Sequence, residues 1–228
     1  MKKTTFVALL LLSTQSIAQS LDESLLRIES EWAKIYYNTP KQKQSFAFEQ
    51  LIDKVKTIST QHSEKSEPII WEAIIKATNA DNQNAIAAIK SIHQARDLLI
   101  KAIKIDPYAM DGSAYLTLGT LYYMTPKWPI GFGDEKIAQQ MLKKALLINP
   151  YAIENNYYYG DFLLTKNMFN EAKEYFKRTL SIPAREKQSF ADNKIKELAR
   201  EALKNTIKIQ ESIGNNLFAS LFDPNSNK

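Results

Sequence analysis

The feature that most restricts what this chain can become is a spacing of small and apolar residues that closes three successive segments alike. Ala95, Leu99, Ala102, Ile103 and Pro107 close the first. Ala138, Leu142, Ala145, Leu146 and Pro150 close the second, and Ala172, Phe176, Thr179, Leu180 and Pro183 the third. The same steps of four, three and one recur each time, with only the last proline displaced by one residue. Steps of three and four keep these side chains on one face of an α-helix. Upstream of the second and third endings stand Leu118-Gly119 and Tyr159-Gly160.

A bulky residue then Gly on one helix, a small Ala and a large apolar residue on the next, and Pro at the exit make up the tetratricopeptide pattern. Each part has a mechanical reason. Gly119 and Gly160 leave room for a second helix to lie close, Ala138 and Ala172 supply the matching small surface, and the proline ends the second helix. Gly160 to Ala172 is 12 residues, the spacing of an uninterrupted repeat, whereas Gly119 to Ala138 is 19. About seven residues are therefore inserted in the second repeat, namely Trp128-Pro129-Ile130-Gly131-Phe132-Gly133-Asp134. Asp134 is placed to cap the helix that follows.

The expected fold is all-α: a tetratricopeptide-type helical-hairpin solenoid with N-terminal helices and a long C-terminal capping helix. With 6 Gly and 8 Pro the chain lacks the tight turns of a barrel or sandwich. Residues 19–67 read as an N-terminal helical pair. One helix runs from about Leu21 to Tyr37, with Leu25, Ile28, Trp32 and Ile35 on one face. The other runs from about Gln44 to Thr60, turning Phe48, Leu51, Ile52, Val55 and Ile58 inward. Residues 68–183 read as the repeats. The first is degenerate, without the glycine and with a polar Asn79–Asn84 stretch between its helices. Residues 184–228 read as the capping helix, from about Glu186 to Glu211, and a polar tail. Ile195, Leu198, Ala199, Ala202, Leu203 and Ile207 form its apolar stripe.

The first 18 residues read as a cleavable leader. Lys2 and Lys3 precede an apolar run from Phe6 to Leu12, and Ser16 and Ala18 give a signal-peptidase spacing. The run is too short for a bilayer core of about 30 Å. Cleavage after Ala18 releases a soluble, not membrane-spanning protein, expected in the periplasm, with secretion as the other outcome. With no cysteine the chain has neither disulfides nor a lipid-bearing thiol. Removing the two leader lysines lowers the formal charge from +5 to +3. Lysines alternate with glutamates and no arginine cluster appears, so nucleic acid is not an expected partner.

Catalysis is not expected. There is no Cys, and His62 and His93 stand in neither a nucleophile pattern nor a metal-ligand spacing. No metal and no cofactor are expected. Gly131 and Gly133 lack the third glycine, preceding strand and Lys-Ser/Thr of a nucleotide loop. The loop carrying Trp128 and Phe132 either packs those two rings or lines a binding surface. Tyrosines cluster on the first helices of the last two repeats. The positions that line a tetratricopeptide groove are Leu116, Thr120, Tyr123 and Met124, then Tyr157, Asp161, Leu164 and Thr165. This apolar, aromatic surface with one carboxylate suits a protein or peptide partner or a small hydrophobic ligand.

Four stretches together resemble a known family: Tyr115 to Tyr123, Trp128 to Asp134, Asn149-Pro150, and Tyr157 to Leu163. The chain resembles exported tetratricopeptide proteins of the TatT type, the T component associated with TRAP transporters, over roughly Ala95 to Pro183. The resemblance implies a helical accessory of a TRAP-type solute transporter. It would partner a periplasmic solute-binding protein and handle a small hydrophobic ligand near Tyr123, Phe132 and Tyr157. Members are typically lipoproteins, and this chain has no cysteine to lipidate.

Overall fold

The structure, a computed structural model, describes residues 20–221. The expected leader with its cleavage after Ala18, and the tail beyond 221, lie outside the described residues. Within them the chain is all-helical, with nine α-helices and no strand. The helices are α1 (Leu21–Asn38), α2 (Lys41–Gln61), α3 (Ser66–Ala80), α4 (Ala85–Ile105), α5 (Ser113–Met124), α6 (Glu135–Ile148), α7 (Ile153–Thr165), α8 (Phe169–Ser181) and α9 (Ser189–Leu221). Short 3₁₀ turns precede α5 and α9.

Local chemistry sets the boundaries. Ser20 opens α1 by accepting the Glu23 N–H at 3.2 Å, and Asn84 opens α4 by accepting from Ala87 at 3.0 Å. Asp134 opens α6, accepting from Lys136 and Ile137 at 2.8 and 3.0 Å, as its position in the sequence predicts. The polar stretch from Asn79 to Asn84 spans the end of α3 and the turn into α4. Asp106 and Asn149 end α4 and α6 in the same way. Each accepts, through its side chain, the N–H of a tyrosine two residues on, Tyr108 at 2.8 Å and Tyr151 at 3.0 Å.

The thrice-repeated spacing lands in the core. Ala95, Leu99 and Ala102 on α4, Ala138, Leu142 and Ala145 on α6, and Ala172, Phe176 and Thr179 on α8 are all at most 1% exposed. Consecutive helices pack as pairs, α3 with α4, α5 with α6 and α7 with α8. A Cβ on Gly119 would stand 2.8 Å from Leu142 Cγ and 3.0 Å from its backbone nitrogen. One on Gly160 would stand 2.9 Å from the Phe176 ring. Both contacts are shorter than van der Waals packing allows, so only glycine lets these helices approach so closely.

A second set of contacts joins alternate helices. α1 touches α3, α3 touches α5, α5 touches α7, α7 touches α9, and α9 returns to α1. The odd-numbered helices thus close a circuit, with α2, α4, α6 and α8 each packed on the odd helix that follows. The last helix departs from expectation. It starts at Ser189 and continues past Glu211, and of its predicted stripe Ile195 and Ala199 are buried while Leu198 and Ile207 are 37% and 41% exposed. The reason is geometric: one side of α9 meets α7, α8 and α1, and no described element covers the other.

Candidate functional site

The inner side of the circuit is aromatic because each odd helix turns rings toward it. Tyr123, in the last turn of α5, donates its hydroxyl to Asp161 Oδ2 on α7 at 2.7 Å, and its ring meets Phe162 edge-on at 5.6 Å. One turn back on α7, Tyr157 and Tyr158 meet edge-on at 5.1 Å, and Tyr157 leans on Phe176 at 5.9 Å. The far end of the chain supplies the rest. On α1, Tyr36 stacks on Trp32 at 5.5 Å and meets Tyr37 edge-on at 4.8 Å. Trp32 lies 6.1 Å from Trp71 of α3 and donates its indole N–H to Thr78 at 3.1 Å. Tyr37 meets Phe190 of α9 at 6.1 Å.

The phenols resist ionisation. Burial lifts the Tyr158 hydroxyl well above its ordinary range; the neighbouring phenols of Tyr37, Tyr36 and Tyr157, which would repel one another as phenolates, and the Asp161 charge add to the effect. Burial first, then the Asp161 charge and the hydrogen bond to it, does the same for Tyr123. Tyr157 is pushed up to about 12 by burial, then by Asp161, Tyr36 and Glu201. All three are neutral near pH 7.

Beside this wall a polar node joins α1 to α9. Arg185, in the connection between α8 and α9, donates from its guanidinium to Asp192 and Glu154, and its backbone N–H reaches Asp192 at 2.7 Å. Asp192 is fully buried. Gln188 donates to Glu29 of α1. Burial raises the Glu29 carboxyl to about 7, against the opposing pull of Arg185 and Gln188.

The predicted site residues separate into three groups. Tyr123, Tyr157 and Asp161 come together in the wall. Thr120 and Leu164 are half-buried near it, the Thr120 hydroxyl turned back to the Leu116 carbonyl at 2.9 Å. Met124, at 65% exposed, and Thr165 stand in the last turns of α5 and α7, open to solvent. Leu116 is 8% exposed and belongs to the core shared by α5 through α9. The inner face itself is also less open than a free concave trough, because α1 and α9 meet across it.

The inserted loop combines both expected behaviours. Phe132 packs, edge-on to Tyr122 at 5.2 Å and His93 at 5.1 Å and under the Arg96 guanidinium at 4.8 Å. Trp128 does not pack and is 85% exposed. Gly133 donates to the Pro126 carbonyl at 3.0 Å, and a Cβ there would stand 2.1 Å from the Thr125 oxygen, so the loop base closes only on glycine. Sequence reasoning missed Tyr36, Tyr37 and the Arg185 node. The adjacent tyrosines ending α1 were the available signal, but nothing local says that α1 returns to α7 and α9.

Among the described residues no group of three or more His, Asp or Glu is placed to hold a metal, and no helix is long and apolar enough to cross a membrane. Two open surface hollows lie away from the wall, one along Leu180, Leu203 and Ile207, the other along Leu146, Tyr159 and Tyr175. Fold and site thus define an all-helical protein with an aromatic inner wall bearing a carboxylate. Compared with known proteins, the chain matches no family model and no curated protein.

Proposed function

We propose that the chain is a non-enzymatic, exported binding scaffold of tetratricopeptide type, working in the periplasm and engaging a protein or peptide partner through its inner wall. The observation that supports this reading is the meeting of Tyr123, Tyr157 and Tyr158 with Asp161, and of Tyr36 and Tyr37, from the far end of the chain, with Tyr157 and Tyr158. Tyrosine offers large contact area with a polar tip, which is why it recurs at protein interfaces. The half-buried Asp161 adds a point of specificity. The apolar rings also suit a second reading, a TatT-like accessory of a TRAP-type transporter that handles a small hydrophobic ligand.

Affinity capture from periplasmic extract, with mass spectrometry of polypeptides and small molecules, tests both. A polypeptide retained by the natural chain and lost with Tyr157→Ala supports the scaffold; a small molecule lost in the same way supports the accessory. Capture that is identical for natural and Tyr157→Ala proteins removes the wall from either role. The exported protein is expected to begin at Gln19, read from its intact mass. A mass that retains the first 18 residues contradicts the export reading.

A further inference from the structure

The inner wall is negative in a chain whose formal charge is +5. Asp161 accepts one hydrogen bond, from Tyr123, and makes no ion pair among the described residues. A carboxylate has room for several donors, and partial burial beside aromatic rings withholds some of the water that would otherwise supply them. The charged groups acting most strongly on the surrounding tyrosines are all carboxylates: Asp161, Glu154, Glu197, Glu201 and Asp81. Arg185 offsets Glu154, with which it pairs together with Asp192, and Lys194 pairs with Glu197, whereas Asp161 meets no cation among the described residues. Tyrosine ring faces carry negative potential of their own. Tyr36, Tyr37 and Tyr123 also sit in the last turns of α1 and α5, where the helix dipole is negative.

The Asp161 carboxylate, the ring faces and the two helix ends all contribute negative potential. We propose that the tyrosine-walled carboxylate of Asp161 is a site for an organic cation, an ammonium or guanidinium head presented by a basic side chain of the partner or by a small amine. The inference rests on the inner-wall reading above and adds the chemistry of what binds there. Access is from solvent, since Tyr36 is 38% exposed and Asp161 and Tyr157 are only partly covered. A bare divalent ion fits less well, because it needs about six oxygen ligands and the wall offers one carboxylate and neutral phenols.

The test is calorimetric titration of the exported chain with n-butylammonium, n-butylguanidinium, n-butanol and a blocked hexalysine peptide. Both small cations are expected to bind at least tenfold more tightly than butanol. Asp161→Asn should abolish that preference, and Tyr157→Leu, which keeps an apolar side chain without the ring, should weaken cation binding several-fold. Hexalysine binding tenfold or more above butylammonium identifies a basic polypeptide as the source of the cation; equal or weaker binding identifies a small amine. The proposal is overturned if no cation binds, if butanol binds as well, or if Asp161→Asn leaves cation affinity unchanged. Should Asp161→Asn lose its helical circular dichroism, Asp161→Glu is read in its place, and unchanged cation affinity there overturns the proposal equally. A partner still captured through Tyr157 while no cation binds leaves the scaffold standing and removes only the cation chemistry.

Discussion

The pairs α5–α6 and α7–α8 share one seam and differ completely in how they turn. In both, a glycine faces a large apolar residue, Gly119 against Leu142 and Gly160 against Phe176. The α7–α8 turn is three residues, Lys166 to Met168, with Asn167 in the left-handed region at φ 57°. The α5–α6 connection is ten residues and exposes Trp128 and Ile130 at 85% and 67%. Helix approach is thus set by the seam, and the length of the connection is free to vary. A loop outside the seam can expose apolar rings without disturbing the pair beneath it.

The seam itself offers the largest effect. Gly119→Val is expected to cost about 3 kcal/mol and Gly160→Val about 2, within the range for overpacked cores. The ordering follows from what each new side chain meets. At Gly119 the obstacle includes the Leu142 backbone nitrogen, which cannot move, and at Gly160 it is the edge of a ring that can tilt. Urea unfolding measures both, and an unchanged midpoint for either variant breaks the seam argument.

The α1–α9 junction is the contrasting case, a closure made by polar groups beside the Tyr37–Phe190 contact, and it should respond to pH. The Glu29 carboxyl is raised to about 7 from an ordinary 4.5. The folded protein therefore holds that proton where the unfolded chain releases it. This contribution to stability is whole below about pH 4.5 and is lost as pH rises toward 7. Glu29→Gln, neutral at every pH, is expected to unfold about 1–3 kcal/mol harder than the natural chain at pH 8 and to match it near pH 4.5. Equal stability of the two proteins at pH 8 would show that the α1–α9 contact does not bury this charge.

Smaller effects follow. Tyr123→Phe removes one hydrogen bond to a charged acceptor and is expected to cost about 1–2 kcal/mol; thermal unfolding beside Tyr122→Phe measures it, and equal losses would count against the Asp161 contact. Trp128→Ala should lie within about 0.5 kcal/mol of the natural chain, as for an exposed residue away from special features. A loss above 1 kcal/mol there would mean that the long connection, too, supports the fold.

The sequence by itself determined the helices and the seams. Spacings of three and four residues need only the helical period, and Gly119, Gly160 and Asp134 act on groups a few residues or one hairpin away. That is why Ala138, Leu142 and Ala145 proved buried and Asp134 proved a cap. The tertiary structure alone decided what faces the inner wall. Leu116 and Thr120 stand one turn apart on α5, yet one is core and the other borders the wall. Phe132 fell on His93, and Tyr36, Tyr37 and Glu29 came back from the far end of the chain to meet α7 and α9. The physical reason is that small tilts between successive helices add up along the chain, and only their sum fixes whether the first helix meets the last. No local spacing encodes that sum.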